Sequence, residues 1–109
     1  MLIKKVNKGV IRVEKVKELF DLAMKVNEET EHDIFIYVSP HINQMTLDIH
    51  LNGWKSGATP DITINYVYDN EVLSDRYKLV QGKMKLDKWE IEYSEIVSEI
   101  ASLLRDDYV

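Results

Sequence analysis

The chain has no cysteine, so it carries no disulfide framework and no thiolate for catalysis. Two prolines and four glycines in 109 residues are too few for a collagenous or low-complexity chain. Those glycines (Gly9, Gly53, Gly57, Gly82) do not assemble a phosphate-cradling loop, because Gly53 and Gly57 lack the Lys-Ser/Thr continuation. There is no Gly-x-Ser-x-Gly elbow. Long apolar runs are missing as well. The longest, Ile34 to Val38, has the length of a strand, whereas a bilayer span takes roughly 20 residues. Met1-Leu2-Ile3-Lys4-Lys5 places its charge after its apolar residues, which is not the pattern of a signal peptide, and a cytoplasmic location is the expectation.

What is present is ordinary for one globular domain spanning 1–109: 45% hydrophobic and 30% charged residues. The net charge is −5, unevenly spread. From Met1 to Lys17 six basic residues stand against Glu14, a local +5, so the remainder carries −10. An acidic body argues against direct nucleic-acid binding, whose affinity comes from clustered Lys and Arg. The basic segment reads as a solvated terminus.

The organising stretch runs from Asp33 to Leu51. Asp33-Ile34-Phe35-Ile36-Tyr37-Val38-Ser39 and Gln44 to Leu51 are rich in β-branched and aromatic residues and flank a short polar link, the pattern of an antiparallel hairpin. In the second run Met45, Leu47, Ile49 and Leu51 alternate with Gln44, Thr46, Asp48 and His50, so one face is buried and needs a cover. The first run is apolar on both faces, which suits an interior strand. After a loop holding Gly53, Trp54, Gly57 and Pro60, Ile62 to Tyr68 alternates again, and Tyr77 to Val80 reads as a fourth strand. Tyr66 and Tyr68 continue the Ile62/Ile64 core face.

Two helical stripes supply the cover. Val16, Leu19, Phe20, Ala23 and Met24 recur at helical steps between Glu14 and Glu31. Lys15 and Lys17 near that helix's start and Glu28, Glu29 and Glu31 near its end oppose the macrodipole, at about 0.3–1 kcal/mol per charge. Trp89, Tyr93, Ile96, Ile100 and Leu103 form the second stripe, with Asp87 and Glu90 at capping-box spacing. Ahead of the first stripe, Leu2 to Val6 and Val10 to Val13 about Asn7-Lys8-Gly9 read as a small hairpin. The fold expected is α+β: a helix, an antiparallel meander of three to four strands and a C-terminal helix, with both helices on one face of the sheet.

Few residues suggest chemistry. His32, His41 and His50 fall nine apart, which is not metal geometry. Asp48 and His50 share a strand face about 6.5–7 Å apart, and a carboxylate can orient an imidazole. That pair lacks a third ligand or a strong nucleophile, so no catalytic residue, metal or cofactor is assigned. Trp54 in its glycine-flanked loop offers a rigid contact surface.

Ser39-Pro40-His41-Ile42-Asn43, the alternating strand after it and Gly53-Trp54 resemble a group of small uncharacterised proteins encoded by phages and prophages of low-GC bacteria. In that group Gly-His is commoner where this chain has Pro40-His41. The resemblance covers the central third of the chain, carries no activity, and implies a phage or prophage accessory protein acting by binding another protein. His41 and Asn43 are its motif positions. The functional expectation is therefore a non-enzymatic interaction module whose partner is an unidentified protein or a second copy in a homodimer. Its candidate contact residues are His41, Asn43, Trp54, Asp48 and His50. The alternatives are a small metal-dependent hydrolase on the Asp48/His50 face and an acidic decoy for a nucleic-acid-binding protein.

Overall fold

The computed structural model describes residues 2–105, with side chains from 14 to 105. The order of elements is α1 (Leu2–Glu29), β1 (Asp33–Ser39), β2 (Gln44–His50), β3 (Ile62–Val67), β4 (Asp75–Val80), β5 (Lys83–Trp89) and α2 (Tyr93–Leu104). The strands form one antiparallel meander in the order β1-β2-β3-β4-β5. This is the expected α+β architecture, with one strand more than the alternation suggested.

Register follows from the alternation. Ile34, Ile49 and Ile62 stand in one row across β1, β2 and β3, and Ile36, Leu47 and Ile64 in the next but one. These residues, with Met45 and Tyr66, form the sheet's contribution to the core. Leu19, Ala23 and Val26 of α1 and Ile96, Ile100 and Leu103 of α2 close over them, each almost fully buried. Burial of a large aliphatic side chain is worth roughly 1.5–3 kcal/mol, so these rows outweigh the unfavourable charge order of α1.

Three expectations are corrected. Residues 2–13 belong to α1 rather than to a hairpin. Val6, Val10 and Val13 lie at steps of four and three that lead into Val16, so the β-branched residues also fit a helical period. The helix continues through Gly9, at a cost of about 1 kcal/mol relative to Ala. Basic side chains before residue 14 lie outside the described side chains.

Residues Lys83–Trp89 are a fifth strand, not the approach to the last helix. Gln81 and Gly82 take φ of 50° and 79°, the two left-handed residues of a tight hairpin turn. Glu90, at φ 52°, then prevents a helix from running through Trp89, and α2 starts after Glu92. The capping box is Glu92 with Glu95, whose carboxylate accepts the Glu92 N–H at 3.4 Å.

The third correction concerns β1. It is an edge strand, not an interior one, since it pairs only with β2. Helix α1 crosses the sheet diagonally above it. At one end the Asn27 amide accepts the Ile34 N–H (2.6 Å) and donates to the Ile34 carbonyl (2.9 Å). At the other, Lys15 reaches Glu71, beyond β3, and the Lys15 carbonyl accepts from the Tyr93 hydroxyl. The helix thus covers β1 at Ile34 and leaves its Val38 end open.

Two polar features brace the helical layer. Arg76 points to the core side of β4 and is almost buried. Its Nε and Nη2 donate to Glu99 of α2 at 2.6–3.1 Å and its Nη1 to Asp87 of β5. A bulge opposite Arg76/Tyr77 turns Asp87 toward it. Hydrogen bonding to Glu99 holds the guanidinium protonated against the opposing effect of burial. Removing one partner of such a pair strands the other, at about 3–5 kcal/mol. Arg76→Met is therefore expected to lose about that much in urea unfolding, and Arg76→Met with Glu99→Leu clearly less; equal losses would show that Glu99 is not the group stranded.

The second feature is a tyrosine knot. Tyr66 packs against Tyr93 (5.3 Å between centroids), and the Tyr93 hydroxyl shares its one proton between Glu18 at 3.0 Å and the Lys15 carbonyl at 3.2 Å. Burial, and then the Glu18 carboxylate, push the Tyr93 phenol up to about 12. Burial, followed by the charges of Glu71 and Tyr93, also raises Tyr66. The Tyr66 hydroxyl is buried with no hydrogen-bond partner among the described residues. An unpartnered buried hydroxyl costs roughly 1–3 kcal/mol. Both phenols are held neutral in the folded state, so their contribution is complete below pH 10 and is lost as pH climbs toward and past 12. Tyr66→Phe is expected to raise the melting temperature and to soften the alkaline decline above pH 10; a lowered melting temperature at pH 7 would contradict the account of the hydroxyl.

Candidate functional site

The helices cover one face of the sheet, and no described element covers the other. Alternation decides what that face carries. Across its middle the residues are polar and bonded to each other. Asn65 Oδ1 accepts from Thr46 Oγ1 (2.9 Å) and Gln44 Nε2 (3.2 Å), and its Nδ2 donates to Asp75 (2.8 Å). Thr63 Oγ1 donates to Asp48 at 2.8 Å. A lattice so occupied has little unmet hydrogen-bonding capacity to offer a ligand.

The margins differ. On β5, Leu86 and Trp89 are exposed beside Lys83, Lys85, Asp87 and Lys88, four charges in a seven-residue edge strand. Charges and a bulge are the ordinary means of discouraging a further strand from pairing. On β1, Phe35, Tyr37 and Val38 are 37%, 51% and 48% exposed, and Asp33 is the strand's sole charge. Because Ile34 gives its N–H and carbonyl outward to Asn27, the alternate residues Ile36 and Val38 also aim theirs outward. Among the described residues these groups have no partner.

The sequence candidates divide between the two ends of the β1/β2 hairpin. At one end, Trp54 packs on Phe35 with the rings tilted at 44° and their centroids 5.9 Å apart, and Phe35 in turn lies 5.3 Å from the His50 ring. Trp54 is half exposed, with one side on Phe35 and the other open. Its loop is pinned by the Trp54 N–H to Asp33 Oδ2 (2.7 Å) and by the Leu51 N–H to Asp61 (2.8 Å). Gly53 sits at φ 101°, and a Cβ there would come 3.4 Å from the Glu31 carbonyl, so the turn needs glycine.

His50 is only 5% exposed, buried by its aromatic neighbours rather than solvated. Asp48 is bonded to Thr63, and no hydrogen bond joins it to His50. At the other end, the link Pro40–Ile42 is a single 3-10 turn closed by Asn43 in the left-handed region, φ 52°. Asn43 Nδ2 donates to Asp69 (2.9 Å), and its carbonyl accepts the Tyr68 N–H (3.0 Å). Asn43 is therefore a turn residue; His41 is exposed beside it. Tyr66 and Tyr68 lie on the core side, as the alternation suggested.

Two depressions lie on the helical side. A shallow groove of about 490 Å³ runs along α2 past Ser94, Ser98 and Ser102, and its cation Arg76 is spent on Glu99 and Asp87. A recess of about 330 Å³ is lined by Glu29, Thr30, Glu31, His32, Asn52 and Leu104. There His32 Nδ1 accepts the Asn52 N–H at 3.0 Å and holds the β2–β3 loop to the end of α1. No three His, Asp or Glu side chains among the described residues converge in metal-binding geometry.

Comparison with known proteins adds nothing to this geometry: no family model matches the chain, and no similar curated protein or solved structure was found.

Sequence reasoning missed Phe35, Tyr37 and Val38 as surface residues. A run apolar on both faces suits an interior strand, yet its position next to a helix–strand turn is equally that of a meander's first strand. Asp33→Ala in a Trp89→Phe background, where Trp54 is the remaining tryptophan, should free the loop from Phe35. The expected result is a red-shifted Trp54 emission and a loss of about 1 kcal/mol; an unchanged spectrum would show that Asp33 does not hold Trp54.

Proposed function

We propose that the chain is a non-enzymatic protein-interaction module that binds an extended polypeptide segment along the outer edge of β1. The observation that supports this reading is the open edge at Ile36 and Val38, bordered by half-exposed Phe35, Tyr37 and Val38. A strand added there gains main-chain hydrogen bonds from Ile36 and Val38 and side-chain contacts from Tyr37 and, across the Phe35 ring, Trp54. The segment that fits is uncharged near its centre and apolar at alternate positions.

The alternatives draw less support. An Asp48/His50 hydrolase needs a carboxylate that orients the imidazole, and Asp48 is bonded to Thr63 instead. A decoy rests on Glu28, Glu29 and Glu31, which are exposed, and on the acidic face of α2, where Glu95 and Glu99 are already bonded to Lys88 and Arg76. The accompanying proposal of a phage or prophage accessory role in the cytoplasm rests on the turn Ser39–Asn43 and on Gly53-Trp54, as a resemblance only.

The test is selection from a random heptapeptide display library. Wild-type chain is expected to enrich peptides with alternating apolar residues. Val38→Pro, which deletes an outward N–H at a position where an edge strand tolerates proline, is expected to lose that enrichment while keeping its circular dichroism and melting temperature. Val38→Lys serves if the proline variant fails to fold. The same peptides recovered by wild type and by the folded variant would overturn the reading.

A further inference from the structure

The β1 edge is not open along its whole length, and where it closes decides what can occupy it. At the start of the strand, the Asn27 amide takes both outward groups of Ile34. At its end stands Pro40, which has no N–H, and the chain turns away in the 3-10 turn Pro40–Ile42. Between these stops lie two residues with outward groups, Ile36 and Val38: two donors and two acceptors.

We infer that the occupant is a second copy of this chain, paired antiparallel about a two-fold axis at Tyr37; this rests on the reading of β1 as the docking strand. The registers can be compared one by one. An axis at Ile36 would set Val38 against Ile34, whose groups Asn27 already holds. An axis at Val38 would set Ile36 against Pro40, which has no donor. An axis at Tyr37 sets Ile36 against Val38 of the second copy and Val38 against its Ile36, and all four donors find all four acceptors. The same sequence window supplies both sides, so the pairing is self-complementary.

Side chains agree with this register. On the helical side Ile36 meets Val38, apolar against apolar. On the bare side the two Tyr37 rings face each other across the axis and Phe35 faces Ser39. No charge lies between Ile34 and Val38 to be desolvated or opposed.

The diagonal of α1 leaves room. The helix stands over Ile34 and is drawn toward the β3–β4 connection by Lys15, so its cover of β1 thins from Ile34 (4% exposed) to Val38 (48%). Counting back from Asn27 by about 1.5 Å per residue places Met24 and Phe20 beside Ile36 and Val38. Both are exposed, at 36% and 43%, and flank the gap that a second copy would fill. The product is a ten-stranded antiparallel sheet with its helices on one side.

The absence of cysteine makes the register measurable. Opposed residues that do not share hydrogen bonds stand about 4.5 Å apart at Cα, within the roughly 4.4–6.8 Å of a disulfide. Tyr37 is such a residue. The two Val38 positions are offset by two residues and stand about 8 Å apart. Tyr37→Cys is expected to form a covalent dimer in air at least tenfold faster than Val38→Cys. Sedimentation of the wild-type chain from about 1 to about 100 micromolar is expected to show a monomer–dimer equilibrium. Val38→Pro, or Val38→Lys should the first not fold, is expected to abolish it.

A wild-type chain monomeric throughout that range would overturn the inference, as would a dimer that survives in the folded Val38 variant or cross-links equally well from both cysteines. The peptide selection separates the two levels. A monomer that still enriches peptides in a Val38-dependent way refutes the homodimer alone, whereas enrichment indifferent to Val38 refutes the docking strand and the homodimer with it.

Discussion

The structure depends on one constraint: β2 alternates from Gln44 to Ile49 and β3 from Ile62 to Tyr66, so the middle of the sheet has a single apolar side. Met45, Leu47 and Ile49, with Ile62, Ile64 and Tyr66, are almost wholly buried, while Thr46, Asp48, Thr63 and Asn65 between them are not. A one-residue slip would exchange the two sets. Both helices are thereby committed to the same side, and the opposite side must satisfy itself. It does so through the Thr46–Asn65–Asp75 and Thr63–Asp48 bonds, which occupy the polar middle without any help from a ligand.

With one layer of helices, the geometry at the sheet's edges becomes the remaining question. Two helices cover five strands incompletely, and the diagonal of α1 sets where the cover fails. Its C-terminal end is held at the edge by Asn27, whose amide imitates a strand residue toward Ile34, and its earlier turns are drawn to Glu71 and Tyr93. Burial along the core-facing residues of β1 records this, from Ile34 at 4% through partly buried Ile36 to Val38 at 48%. At the far edge β5 lies largely outside the cover, and lysines, a bulge and the Arg76–Asp87 bond take the place of burial.

Much of this was legible in the residues. The hairpin from Asp33 to His50, the long loop with Trp54, the alternation from Ile62 and the two helical stripes all follow from periodicity, because each is a signal several residues long. What was not legible had competing periods or depended on tertiary position. Val6, Val10 and Val13 satisfy both a strand-like composition and a helical spacing, and the backbone takes the second. Trp89 stands four residues before Tyr93 and so fits the helical spacing, while Gln81-Gly82 and left-handed Glu90 enclose it in a strand. Whether β1 is central or marginal cannot be decided from its own composition, since a residue apolar on both faces suits a buried centre and a pairing edge alike. The same ambiguity hid the site: Asp48 and His50 are adjacent on a face in sequence, but one is held by Thr63 and the other by Phe35.

The asymmetry between the edges bears on what assembly is possible. A sheet open at both margins adds copies without end, and head-to-tail pairing of β1 on β5 would be the first step of a filament. Here β5 is dressed with Lys83, Lys85, Asp87 and Lys88, so a chain has one pairing margin and not two. In the proposed homodimer one margin used about a two-fold axis would be consumed in a single event, leaving both charged margins outermost. In the proposed homodimer the apolar composition of β1, an aggregation hazard in isolation, would be limited to one register by the stops at Asn27 and Pro40 and to one partner by the lysines. On the proposed reading, specificity at this surface would come from what is blocked on either side of Ile36 and Val38, more than from any attraction that those two residues supply.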